Sequence, residues 1–395
     1  MEQKKSITAR YAGVHGFFWA ALCPIVTFAA VYLQGKGYRT SEIGVLLALI
    51  TIVSALIQPV LASAVDRSTR VSLRSYLLLI AGLALLGVCA MSFFRFTGSA
   101  LLMTFFVASI LVHLLEPLIN SVADYCQHHG IPLNFGISRA VGTLLFALTS
   151  FGVGYAADLC GVDSLMLVCA AFLALLLCAL FLLPRMRPGG AVRQNTQPCS
   201  LPQFLHRYGR YTLVLVGFFF VATFHMMTET YLINMMERVG GGSSSVGTAL
   251  LIANIAEFFA ILFYDRFRRL LSTCGWLKVT AVCFVVKALL FHLASSVMFV
   301  YLAQLLQAVT YGLYAPSIVL FSSEEIAESD MVKGQSVSVA IFTLGTSLGN
   351  YLGGRLIQNF SVRAMTFTGF LFACVGAAIV MLVLRKKQPA SRRTV

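Results

Sequence analysis

The chain has 395 residues, of which 58% are hydrophobic and only 11% charged, with a formal net charge of +14. Soluble proteins carry about 45–50% apolar and about 25% charged residues, so too few charges remain here to coat a water-exposed surface. An ordinary soluble enzyme, a disordered chain and a nucleic-acid binder are excluded, and a polytopic membrane protein remains.

Apolar runs broken by charge, Gly or Pro predict twelve membrane-crossing helices, at 10–34, 42–64, 74–95, 99–125, 135–157, 163–184, 211–236, 245–264, 275–295, 297–321, 334–357 and 363–384. A membrane β-barrel would show alternating segments of about ten residues, whereas these runs are twice as long and continuous. The first run is too long for a removed signal peptide and lacks a small-residue cleavage site, so it is expected to stay in the mature chain.

Loop charges predict the orientation. With the N-terminus in the cytoplasm, 21 Lys and Arg fall inside and six outside, leaving Arg139 and Lys287 within helices. The positive-inside rule then places both termini in the cytoplasm of a bacterial inner (plasma) membrane, and an anionic leaflet accounts for the basicity. The ten cysteines are scattered singly, with no Cys-x-x-Cys and no Cys/His cluster, so neither a disulfide framework nor a metal site is expected.

Residues 185–210 hold Pro188, Gly189, Gly190 and Pro198 among polar residues. They read as a flexible cytoplasmic linker between a six-helix half at 1–184 and another at 211–395. The halves echo each other: Asp66, Arg67 and Arg70 follow the second span, and Asp265, Arg266, Arg268 and Arg269 follow the eighth, 199 residues later. A duplicated six-helix unit points to a transporter whose halves rock about a midplane site.

An ionised side chain at mid-bilayer costs about 2.5–3.5 kcal/mol, so such residues face the bundle interior. Glu116 shares one face of span four with His113, Asn120 and Asp124, a stripe that either lines a pore or ties helices together. His225 and Glu229 stand four residues apart on span seven and are candidate proton carriers. Glu257 and Lys287 lie mid-span on consecutive helices, where a salt bridge would be either a structural lock or a pair broken during transport. Gln304, Gln307, Thr310, Tyr311, Tyr314 and Ser317 recur at helical spacing on span ten, as do Thr343, Ser347 and Asn350 on span eleven. Such stripes bind a polar solute or join helices. Arg139 sits one turn inside its span, between solute binding and snorkelling to the headgroups. Pro24, Pro59, Pro117 and Pro316 are expected to kink their spans. His15 and Trp19 share a face of span one and read as packing. No His-Glu-x-x-His, P-loop or Gly-x-Ser-x-Gly occurs, so neither an enzyme nor a cofactor is expected, and uphill transport would draw on an ion gradient.

The Asp-Arg-x-x-Arg turn at Asp66, repeated at Asp265, resembles the loop signature of the major facilitator superfamily, with Ala62 where that signature usually opens on Gly. Gly44 to Pro59, Asn134 to Gly142 around Arg139, and Lys333-Gly334-Gln335 resemble its branch containing lactose permease, nucleoside/proton symporters and phenylpropionate permease. The resemblance implies an all-α membrane fold of two six-helix halves. It sets Arg139 at the arginine that grips sugar hydroxyls in lactose permease, and Asn120 and Asn254 opposite its sugar-binding acids. Glu229 falls where the seventh helix carries an acid and Lys287 where the ninth carries an arginine. Gln307 and Thr310 fall opposite the His and Glu that couple protons. These departures argue against lactose itself.

The expected solute contacts are therefore Glu116, Asn120, Arg139, Asn254, Gln307, Thr310 and Asn350. The expected proton-coupling set is Glu229, His225, Glu257 and Lys287, and the switch loops carry Asp66, Arg67, Arg70, Asp265 and Arg266. The function expected is monomeric, proton-coupled import of a small polar organic solute: a sugar, nucleoside or aromatic acid. A drug/proton antiporter of the same fold and a non-transporting sensor stand as alternatives.

Overall fold

A bilayer offers no partner for a bare peptide group, so each apolar run closes its hydrogen bonds within a helix. The computed structural model describes residues 2–68, 71–94, 96–129, 131–184, 186 and 200–385, with side chains from Ile7 onward except those of Asp66 and His128. Arg70 and most of the expected linker lie outside the described residues. Among those described, twelve helical rods follow in chain order and no strand occurs. The first half comprises α1 (Glu2–Leu22, continued by Ala29–Gly35), α2 (Thr40–Arg67), α3 (Leu73–Phe93), α4 (Gly98–His128), α5 (Phe135–Cys160) and α6 (Asp163–Phe181). The second comprises α7 (Gly209–Thr230, continued by Leu232–Arg238), α8 (Ser243–Leu262), α9 (Thr273–Leu293), α10 (Val297–Leu305, continued by Tyr311–Glu325), α11 (Met331–Asn359) and α12 (Val362–Arg385).

Nine of these helices are unaided long and apolar enough to cross a membrane, and α1 joins them if its bent pair is one span. The expected linker stops short of 210. Leu201–Arg207 is already helical, started by a capping box in which Ser200 and Gln203 satisfy each other's backbone N–H groups.

Three rods break inside the bundle. In α1, Pro24 opens a π-turn at Cys23–Thr27, and the two segments meet at 46°; a proline has no N–H to give the preceding turn. In α7 the break falls at the wholly buried Tyr231. The span expected at 297–321 is also interrupted. Leu306 to Val309 tighten into i to i−3 hydrogen bonds before the helix resumes at Tyr311.

The main packing relations of one half recur in the other. Helix α1 packs on α5 and α6, α3 on α4 and α6, and α2 on α4; likewise α7 packs on α11 and α12, α9 on α10 and α12, and α8 on α10. The halves meet along two seams, α2 with α11 and α5 with α8. Both seams are tight at the end away from the chain termini. A Cβ on Gly247 would fall 2.5 Å from the carbonyl oxygen of Ser150, and one on Gly154 would fall 2.5 Å from that of Ser243. Only glycine lets two backbones approach this closely.

Polar contacts reinforce that end. The Asp158 carboxylate of α5 accepts the backbone N–H groups of Ser243 and Ser244 at 3.0 and 2.8 Å, capping α8 from the other half. Gln34 and Asn234 exchange amide hydrogen bonds at 3.0 and 2.8 Å. The Thr40 hydroxyl donates to Gly354 O at 3.1 Å, and the Tyr231 hydroxyl is shared between Asn350 O at 3.0 Å and Thr40 O at 3.3 Å. Nearer the termini the halves part, and Arg139 and Gln335 are exposed.

A bulky residue at the glycine seam should wedge this end apart. In Gly247→Leu, a cysteine introduced at Thr27 in a background cleared of native cysteines should react several-fold faster with an impermeant maleimide added on the side away from the termini. An unchanged rate would show that the seam tolerates the added side chain.

Candidate functional site

Between the seams lies a cavity of about 290 Å³, near the lower end of the range for small-molecule sites. Its two walls come from different halves. Trp19, Thr27, Arg139, Thr143 and Phe146 form one, and His225, Glu229, Asn254, Glu257, Gln307 and Tyr311 belong to the other.

On the first wall the π-turn of α1 brings Thr27 to the cavity. Gly142 makes room for the indole of Trp19, because a Cβ there would lie 2.7 Å from its Cδ1. The guanidinium carbon of Arg139 stands 4.4 Å from the centre of that indole, a cation–π contact. Arg139 makes no ion pair among the described residues, so its planar fork is available to an acceptor entering from the open end.

On the second wall a charge network crosses four helices. Lys287 of α9 has no exposed surface. Its Nζ donates to Gln307 Oε1 at 2.6 Å and stands 3.6 Å from Glu229 Oε1. The other end of the same amide, Gln307 Nε2, donates to Glu257 Oε2 at 3.0 Å. His225 Nδ1 lies 3.9 Å from Glu229 Oε1, and its ring stacks on Tyr311 with centroids 5.5 Å apart. One ammonium thus answers two carboxylates, one by proximity and one through an amide. Gln307 lies inside the break in α10. Among the described residues no three His, Cys, Asp or Glu side chains converge as metal ligands.

A direct Glu257–Lys287 salt bridge, which the spacing leaves open, is not formed. Gln307 stands between the two, and the carboxylate nearest the ammonium is that of Glu229. Of the expected solute contacts, Arg139, Asn254 and Gln307 line the cavity, and Asn254 spends its amide donor on Leu250 O at 2.7 Å. Glu116 and Asn120 are half-buried on α4 and do not line it. Thr310 is wholly buried with its hydroxyl on Leu306 O at 2.8 Å. Asn350 lies on the α11 seam, where its side-chain oxygen accepts from the Thr230 hydroxyl at 2.6 Å. Ser347 likewise joins helices, donating to Ala48 O at 3.2 Å.

Of the expected switch loops, Arg67 and Arg266 are exposed, and Asp265 pairs with Arg268 at 3.0 Å within one turn. The Asp66 side chain and Arg70 lie outside the described residues. Trp19, whose place on an apolar face of span one reads as packing, forms a cavity wall. The signal available for it was Gly142, one turn after Arg139 on the facing helix.

Two contact-repeated six-helix halves closing on one cavity with charged residues in its walls define a multi-pass membrane transporter of the major facilitator type, not an enzyme. The chain belongs to the MFS_1 like family, which it matches over residues 8–368. It is 26% identical to the maltose permease of Geobacillus stearothermophilus over 394 residues, covering 95% of this chain and 93% of that protein. In fold it is similar to a variant of the nucleoside transporter NupG, with TM-score 0.80, 13% identity and 96% and 99% of the two chains covered. A bacterial homologue of the lysosomal transporter Spinster, in an inward-facing and unoccupied conformation, superposes with TM-score 0.71 at 13% identity over 98% and 99% of the chains.

Removing one member of a buried ion pair costs about 3–5 kcal/mol, because the other charge is left alone. Lys287→Met should therefore lower the melting temperature of the purified protein in detergent by several degrees. Adding Glu229→Gln should recover most of that loss, and adding Glu257→Gln less. Equal recovery by both would show that Gln307 does not separate the two acids.

Proposed function

We propose that this chain imports a small saccharide by alternating access, driven by protons. The observation that carries the reading is the cavity itself. An indole face, an unpaired guanidinium, amides and carboxylates surround one small space between the halves. An aromatic face suits the C–H side of a sugar ring, and the polar groups suit its hydroxyls. The similarity to a maltose permease supports this solute class. An exporter of apolar drugs would favour a more apolar cavity, whereas Arg139, Glu229 and Glu257 border this one.

The excess of basic residues at the terminal end supports cytoplasmic termini in a bacterial inner membrane. On that orientation the closed seam faces outward and the cavity opens to the cytoplasm. The molecule is then inward-open, poised to release solute.

The proton-carrying role expected of Glu229 passes to Glu257 on this geometry. Both acids border the cavity, but Glu229 has an ammonium 3.6 Å away, whereas the hydrogen-bond partner of Glu257 among the described residues is a neutral amide. A carboxyl in no direct ion pair, alternately wet and dry, takes and releases a proton as the halves rock.

Reconstituted vesicles with the membrane potential clamped provide the test. Across a gradient of one pH unit, one-for-one symport should concentrate labelled maltose toward a limit of about tenfold. Glu257→Gln should bring the steady-state ratio down to about one while maltose still equilibrates. Concentration by Glu257→Gln to the wild-type ratio would move the proton site elsewhere, and binding without flux in either direction would favour the sensor.

A further inference from the structure

We propose that Gln307 is the coupling residue of this transporter: its amide relays the protonation of Glu257 through Lys287 to Glu229, and so to the closed outer seam. The inference rests on the proton-driven reading above and adds the route from proton to gate.

The network contains a neutral residue placed between charges of opposite sign. Gln307 accepts from Lys287 through Oε1 at 2.6 Å and donates to Glu257 through Nε2 at 3.0 Å. An amide has one acceptor end and one donor end, so this orientation suits an ionised Glu257. A protonated Glu257 is a weaker acceptor and brings an O–H donor of its own. The amide then loses its charge-assisted bond and its grip on Lys287 slackens. Lys287 is 3.6 Å from Glu229, just beyond hydrogen-bond distance. Released from Gln307, it can close on Glu229. The proton that arrives at a Glu257 oxygen leaves by the same atom, and no other bond is made or broken.

The titratable and charged groups facing the network are His225 and Glu229 from α7, Glu257 from α8, Lys287 from α9 and Tyr311 from α10, with Arg139 and Glu116 on the side of the other half. With Glu257 protonated, Glu229 is left as the anion beside Lys287.

The route continues along α7. Glu229 is followed by Thr230, whose hydroxyl donates to Asn350 on α11 at 2.6 Å. Tyr231 follows, at the break in the helix, with its hydroxyl shared between Asn350 O and Thr40 O of the opposite half. Three consecutive residues thus join the charge network to the seam that closes the outer end. A pull on Glu229 acts beside the contact that must part when the molecule opens outward.

The steady-state accumulation ratio tests this, because weaker binding or slower turnover delays that ratio without changing it. Labelled maltose is followed in clamped vesicles across one pH unit, with melting temperature as the check on folding. Gln307→Leu, which removes both ends of the relay, should equilibrate maltose to a ratio of about one where the wild type approaches tenfold. Gln307→Glu keeps an oxygen for Lys287 if the leucine variant does not fold, and should also fall to about one. Either folded variant reaching the wild-type ratio, however slowly, overturns the relay and leaves Gln307 a lining residue. If Glu257→Gln is uncoupled while both Gln307 variants still concentrate, the proton-driven reading stands and this one falls. If the wild type itself only equilibrates or excludes maltose, the proton-driven saccharide reading falls and this one with it.

Discussion

A lysine with no exposed surface in the middle of a membrane bundle has to be answered by anions, and the second half of this molecule is arranged around that requirement. Desolvating Lys287 costs several kcal/mol unless close partners offset it. Those partners come from three other helices: Glu229 from α7, Gln307 from α10 and, through the amide, Glu257 from α8. Four helices are thereby held in register at one depth. The cavity wall they present is polar because their shared centre is charged. Its acids face the cavity, where Lys287 and the Gln307 amide answer them.

The helix breaks belong to the same arrangement. A regular α10 would carry Gln307 and Thr310 along one continuous stripe. The backbone instead leaves helical geometry at Thr310, with Gln307 on the network and the Thr310 hydroxyl bonded back to Leu306. The breaks in α1 and α7 fall at matching places in the two halves, and each sits beside the cavity and the outer seam together. A straight helix would transmit motion only along its length. A broken one can turn its outer segment against the partner half while its inner segment stays packed. Seams made from glycine contacts and backbone hydrogen bonds suit parts that must separate and rejoin, since they interlock few side chains.

Much of the site could be seen in the chain. Glu229, Glu257 and Lys287 stand out because ionisable residues within apolar runs are costly. His225 follows from helical spacing, and Arg139 from its motif. Contacts between helices are not legible in this way. The nearest acid to Lys287 is Glu229 rather than Glu257, because Gln307 enters between them from a fourth helix. No spacing along α8 or α9 carries that fact. Glu116 and Asn120 form a true stripe on α4, but the cavity is built from α1 and α5 on that side. Asn350 and Ser347 have the same polarity as a solute contact and are used instead to join α11 to its neighbours. Trp19 was passed over because an indole on an apolar face packs in most proteins. Here Gly142 and Arg139 of the facing helix make it a wall.

The sequence by itself determined the all-helical membrane architecture, the positions of the spans and the duplication of the halves. Those properties depend on transfer of side chains between water and hydrocarbon, and hydropathy and loop charge record that term residue by residue. Only the tertiary structure decided which charges meet, where helices break and which end of the molecule is closed. Those outcomes depend on distances of a few ångströms between helices far apart in the chain. There one amide oxygen facing an ammonium, or one hydrogen in place of a Cβ, settles the contact.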